Sequence, residues 1–114
     1  MAGVPLIACI GVPAEERAVP QTLVMDLTLD LDLEAATNTD DLSLSVDYKE
    51  LVNRMQVLAS ETACQLLETL AARLCRAALE DSKIAAVHMT IRKFPSELAG
   101  QVDYVAVELS RSNR

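Results

Sequence analysis

Hydrophobic and polar residues change rhythm twice along this chain. From Gln21 to Leu33 they alternate: Leu23, Met25, Leu27, Leu29, Leu31 and Leu33 face one way, and Thr22, Val24, Asp26, Thr28, Asp30 and Asp32 the other. A period of two predicts a half-buried strand, aliphatic toward the core and acidic toward water. At about 3.4 Å per residue it would run roughly 40 Å, well beyond the usual strand length. A shorter apolar stretch, Pro5 to Val12, precedes it across the turn-like segment from Pro13 to Pro20. The pair predicts an antiparallel hairpin with a long connection.

The period then becomes helical. Asp47-Tyr48-Lys49-Glu50 has the spacing of a capping box, and Leu51, Val52, Met55 and Leu58 recur behind it. A second T-x-x-Q cap at Thr62-Ala63-Cys64-Gln65 is followed by an apolar stripe of Leu67, Leu70, Leu74 and Ala78. Helices are predicted over 48–59 and 63–81. Period two returns where Val87, Met89 and Ile91 alternate with His88, Thr90 and Arg92. After a loop from Pro95 to Gly100, Val105, Val107 and Leu109 alternate with Ala106, Glu108 and Ser110.

The order ββααββ predicts an α+β domain over residues 1–114, an antiparallel four-stranded sheet with two helices on one face. Helices with one apolar stripe each cover only one face of such a sheet. The long strand, taken as an edge, also invites pairing with another chain. Both features predict an oligomer.

Composition narrows the function classes. The chain has 114 residues, 51% of them hydrophobic and 24% charged, with three glycines and four prolines. That is a globular chain with room for one core, neither disordered nor low-complexity. Seventeen acidic and ten basic residues give a net charge of −7. Such a chain is repelled by phosphate backbones, and its three aromatics (Tyr48, Phe94 and Tyr104) offer no stacking surface, so no nucleic acid is expected. A small molecule, or copies of the same chain, fits better.

Cys9, Cys64 and Cys75 are odd in number and form no C-x-x-C pair, and His88 is the only histidine, so spacing predicts no metal site. Cys64 and Cys75, eleven residues apart, are expected on one buried face of the second helix. Met1 to Ile10 lacks a basic start and a long apolar run, so neither a signal peptide nor a membrane span is expected there. A reducing, cytoplasmic compartment follows.

Four polar residues stand out, each with an ordinary structural reading. Glu16 is a loop charge, Tyr48 a packing residue in a first helical turn, and Glu68 a glutamate favoured by the helix dipole. Lys93 ends a strand on the face of Val87, Met89 and Ile91, where a lysine can snorkel to water. His88 alternates onto the polar face and reads as structural.

Their joint order says more. Ile10-Gly11-Val12 precedes Glu16 and Gln21; Asp40-Asp41 precedes Val46-Asp47-Tyr48. Leu66-Leu67-Glu68-Thr69-Leu70-Ala71 follows, then Ile91-Arg92-Lys93 before a Pro95 loop. Together, from about Ile7 to Arg111, these pieces resemble the dihydroneopterin aldolase family. The resemblance implies the tunnelling fold, in which sheets of several subunits join into a barrel, as tetramers or octamers with sites between neighbours. It also implies retro-aldol cleavage of dihydroneopterin to hydroxymethyl-dihydropterin and glycolaldehyde, in folate biosynthesis. The dihydropterin ring holds a C=N bond beside the reacting carbon and can serve as the electron sink. No cofactor, metal or lysine Schiff base is then required.

Site roles follow from the same resemblance. Glu68 would anchor the pterin, with Leu67 and Val46 walling the ring. Lys93 would carry general acid–base work, with Glu16 beside it and Gln21 nearby. Tyr48, from the adjacent subunit, would hydrogen-bond the reacting side chain and help protonate the intermediate. Many members place proline directly after the lysine, whereas Phe94 stands between Lys93 and Pro95 here; Lys93 ends the unbroken alternation and is kept. Glu15 and Glu16 both stand before Gln21, and the five-residue spacing favours Glu16. An epimerase acting on dihydroneopterin triphosphate ranks second, because this acidic chain offers only scattered cations (Arg17, Lys83 and Arg92). A non-catalytic pterin-binding or structural oligomer ranks third.

Overall fold

The computed structural model describes residues 1–31 and 34–113. Strand β1 (Val4–Ile10) buries Val4, Leu6, Ala8 and Ile10 in strict alternation, and ends two residues before the expected Val12. A single helical turn, α1 (Ala14–Arg17), occupies the connection to β2 (Gln21–Leu31). β1 and β2 pair antiparallel with Leu6 opposite Leu23, as the hairpin reading predicts. Asp32 and Leu33, read as the end of that strand, lie outside the described residues.

A short helix α2 (Glu34–Thr39) follows, and Asp40 after it takes the left-handed conformation at φ 51°. A 3-10 turn at Leu42–Leu44 is capped by Asp41, whose carboxylate accepts from the Ser43 N–H at 3.0 Å. This segment carries no apolar stripe, so periodicity gave no sign of it. Helix α3 (Tyr48–Ser60) starts where the capping box puts it: the Asp47 carboxylate accepts from the Lys49 and Glu50 N–H groups. α3 buries Leu51, Met55 and Ala59.

The second predicted cap does not open a helix. The Thr62 hydroxyl donates instead to the Leu58 carbonyl at 2.7 Å, closing the end of α3. Ala63 and Cys64 form β3 (Ala63–Cys64), parallel to Cys9 and Ile10 of β1. Free edge groups of β1 thus outcompete the local capping pattern. Helix α4 (Leu67–Ala78) begins four residues later than expected and ends three earlier, with Leu67, Leu70, Ala71, Leu74, Cys75 and Ala78 buried. Cys64 therefore does not share a helix face with Cys75. It is half-buried on β3, whereas Cys75 is in the core; desolvation raises the pKa of both thiols.

Strands β4 (Ile84–Lys93) and β5 (Val105–Ser112) complete one sheet in the order β3-β1-β2-β4-β5. The sheet has five strands rather than four because of the short β3. The long strand β2 is interior, paired with both β1 and β4, so the edge reading is corrected: β5 is the long outer strand. α3 packs against β1 and α4 against β4 and β5. Leu23, Met25, Leu27, Met89 and Ile91 of the sheet meet Met55, Leu70 and Leu74 of the helices in a fully buried aliphatic core.

The other sheet face is polar. Asp26 accepts from Arg92 there at 2.6 Å, and His88 bridges β4 to Glu108 (2.7 Å) and Ser110 of β5, a structural role for that histidine. The Cα radius of gyration, 15.6 Å, exceeds the about 13 Å of a compact chain this long. Among the described residues no helix is long and apolar enough to cross a membrane.

Candidate active site

One end of the sheet brings together two of the three predicted catalytic residues, Lys93 and Glu16. Lys93 is the last residue of β4, and the period of two turns it to the same side as Val87, Met89 and Ile91. Its ammonium there meets the Glu16 carboxylate, brought in by α1, in an ion pair joining residues 77 apart in sequence. Both side chains are largely covered, with 15% of Lys93 and 27% of Glu16 exposed. The hydrogen bond from Lys93 is the main reason the Glu16 carboxyl is held below the ordinary 4.5; partial burial opposes it, while the Lys93 charge and a hydrogen bond from Gln21 add to it. Gln21, the first residue of β2, also donates through Nε2 to the Ile10 carbonyl, tying the α1 connection to the end of β1.

This geometry separates the alternatives that sequence left open. Glu16, not Glu15, faces the lysine. Phe94, half exposed, stacks edge-on against Tyr104 at 6.2 Å, a ring that also lies under the Arg92 guanidinium. It therefore leaves the Lys93 position to the lysine.

Glu68 and Leu67 belong to the same end. α4 starts only after β3, and the Cys64 carbonyl accepts from the Gly11 N–H at 3.2 Å, four residues before Glu68. Leu67 is buried and Glu68 exposed in the first turn of α4; the N-cap, Leu66, has no side-chain oxygen to cap it. Among the described residues the exposed Glu68 carboxylate makes no ion pair or side-chain hydrogen bond.

Tyr48 and Val46 are elsewhere. They line a shallow depression with Met1, Leu27, Thr28, Leu29 and Leu31, toward the far end of β2. Arg92 pairs opposite Val24, so Leu29 is five residues further along, roughly 17 Å at strand spacing. The chain thus brings Lys93, Glu16 and Gln21 together, starts Leu67 and Glu68 just after the β3 connection that is bonded to Gly11, and holds Tyr48 (62% exposed) and Val46 apart.

Two residues at this end went unassigned in the sequence reading. Arg17 donates through Nη1 to the carbonyls of Gly11 (2.9 Å) and Val12 (2.8 Å), clamping the turn that carries Glu16. Gly11 itself is buried beneath the Glu16 side chain. The one available signal was a glycine at a strand exit just before the loop glutamates.

Comparison with known proteins settles the family. The family model described as FolB: Dihydroneopterin aldolase matches residues 1–110. The chain belongs to the dihydroneopterin aldolase family. A Bacillus subtilis dihydroneopterin aldolase is 31% identical over 102 residues, 89% of this chain and 85% of the relative. Among solved structures, Escherichia coli dihydroneopterin aldolase in complex with neopterin superposes with a TM-score of 0.88 at 20% identity, covering 98% of this chain and 96% of that one. A Burkholderia thailendensis dihydroneopterin aldolase bound to guanine gives 0.79 at 23% identity, covering all of this chain and 88% of that one. The α+β architecture is accordingly that of the dihydroneopterin aldolase tunnelling fold.

Proposed function

We propose that this chain catalyses the retro-aldol cleavage of dihydroneopterin to hydroxymethyl-dihydropterin and glycolaldehyde, as a cytoplasmic step of folate biosynthesis. The observation that carries this reading is the Lys93–Glu16 pair: a largely covered ammonium held by a carboxylate, at the sheet end from which the exposed Glu68 follows on α4. Membership of the family supplies the substrate class, and the neopterin and guanine named with the two solved relatives share the amino-pyrimidine edge a carboxylate recognises.

In this reading Glu68 accepts two hydrogen bonds from that edge, and Leu67 walls the ring. The side-chain hydroxyl gives its proton to Lys93 in its amine form as the carbon–carbon bond breaks and glycolaldehyde leaves. The released electron pair enters the ring C=N, and the resulting Lys93 ammonium, held by Glu16, returns the proton to the carbon left behind, giving the hydroxymethyl product. Lys93 moves the protons, and its charge is positioned by Glu16 and, behind that, Gln21. An ammonium held by a carboxylate serves as an acid–base group rather than as an amine nucleophile, so the reaction runs without a Schiff base, and the substrate's own sink removes the need for a metal.

Tyr48 and Val46 lie too far along β2 to serve the Lys93 of their own chain. They complete the site from a neighbouring copy, in a tetramer or octamer built by edge-to-edge joining of sheets through β5. The open polar face and extended shape support this assembly. The test is to incubate the protein with dihydroneopterin and identify products. Equimolar hydroxymethyl-dihydropterin and glycolaldehyde are expected; an epimerised substrate alone, or no change, would overturn the reading.

A further inference from the structure

Gly11 leaves β1 with its backbone fixed on both sides. Its N–H donates to the Cys64 carbonyl of the β3 connection, and its own carbonyl accepts from Arg17. Over it lies the Glu16 side chain. A Cβ at position 11 would stand 2.6 Å from both Cδ and Cγ of Glu16 and 2.7 Å from its Cβ, closer than real Cβ contacts allow. Swinging the outer part of Glu16 does not relieve this, because the Glu16 Cβ is itself among the clashing atoms. Either α1 lifts or Glu16 leaves its place. Backbone conformation is not the reason for a glycine here, since the left-handed glycines are Gly3 and Gly100. The requirement is space.

We infer that Gly11 is a positioning residue for the proposed reaction: its missing side chain is the seat on which Glu16 rests, and the Arg17 clamp on the Gly11 and Val12 carbonyls holds that seat and α1 together. This rests on the proposed acid–base role of Lys93 and adds what delivers its carboxylate partner. Nothing in the order of residues requires that delivery, because Glu16 sits on an exposed one-turn helix with no buried residue of its own. Without the seat, the carboxylate has no fixed point from which to meet an ammonium at the far end of another strand. A displacement near 1 Å costs on the order of a hundredfold in rate where geometry controls reaction.

The test is a double-mutant cycle of Gly11→Ala and Glu16→Gly, the latter removing the Cβ as well as the outer side chain, with urea stability, turnover and pterin affinity measured on all four full-length proteins. In the wild-type background Gly11→Ala should lower stability and cut turnover by about tenfold or more while pterin affinity stays within about twofold, since Glu68 holds the ring. The acid limb of its pH–rate profile should move toward the range of a free carboxyl, as Glu16 loses the hydrogen bond from Lys93. In the Glu16→Gly background, where no atom of the side chain at 16 remains to clash, the same substitution should change neither stability nor turnover. Failure of Gly11→Ala alone to fold, with the double variant folding, expresses the same coupling. Equal costs in both backgrounds, a double variant that fails to fold, or near-normal turnover in Gly11→Ala would overturn the inference. The stability arm holds whatever reaction the wild type runs, so absence of aldol cleavage would count against the proposed function and leave the Gly11–Glu16 coupling to be judged separately.

Discussion

Lys93→Ala removes the ammonium that faces Glu16 at the end of β4 and leaves the rest of the site in place. Loss of a general acid–base group typically lowers turnover by about 10²- to 10⁴-fold, or about 3–5 kcal/mol of barrier. No neighbour takes over. Arg92 is adjacent but turned to the other sheet face, where Asp26 accepts from it at 2.6 Å. That hydrogen bond, with the one to Tyr104 behind it, holds the guanidinium pKa above its ordinary value, so Arg92 stays charged and cannot shuttle a proton. Lys83 precedes the opposite end of the strand.

The structural cost of Lys93→Ala is smaller. A hydrogen bond to a charged group is worth about 1.5–3 kcal/mol, and the residual exposure of this pair trims the loss to about 1–2 kcal/mol, so the variant folds. The assay pairs steady-state cleavage of dihydroneopterin with a pterin titration. Turnover should collapse with affinity nearly unchanged, because Glu68 holds the ring. A folded Lys93→Ala protein with near-normal turnover would refute the proton-transfer assignment.

Glu68→Gln replaces one acceptor oxygen by a donor that meets the donors of the pterin edge, so affinity should fall by about ten- to a hundredfold in a titration while the melting curve stays put; unchanged affinity would return Glu68 to a surface glutamate. The Glu16 carboxyl is held below the ordinary 4.5, chiefly by the hydrogen bond from Lys93. The stability it contributes is therefore fully present above that value and lost as pH falls through its lower folded-state value. Urea unfolding of wild type and Glu16→Gln should accordingly differ at pH 7 and converge in strong acid, and a gap independent of pH would contradict the pairing.

Much of the fold is legible in the sequence because local rhythm and packing agree. The β1–β2 hairpin, α3 with its Asp47 cap, and the β4–β5 pair all follow their hydrophobic period. The T-x-x-Q signal at Thr62 failed because its competitor is remote: the open edge of β1, some fifty residues earlier, takes Ala63 and Cys64 into the sheet. Strand order is likewise a matter of long-range pairing, so a strand as long as β2 could be mistaken for an edge. At the site, the family resemblance named Lys93, Glu16 and Glu68, and the fold brings them to one end. It expected Tyr48 from an adjacent subunit without giving its distance from Lys93 in its own chain, and it did not tell that Val46 stands with Tyr48, nor that Gly11 matters for the room it leaves. These facts are distances, and a linear pattern holds no distances between residues this far apart in the chain.

Whether the site is shared between chains can be read from one mixing experiment. Lys93→Ala and Tyr48→Ala proteins, each inactive alone, are unfolded together and refolded as a mixture. If Lys93 of one chain works with Tyr48 of its neighbour, random assembly rebuilds about a quarter of the sites with both residues intact, since each interface draws its two contributors independently. Dihydroneopterin cleavage should then return to about that fraction of the wild-type rate. A mixture as inactive as its two components would contradict the account, for it would mean that both residues must come from the same chain.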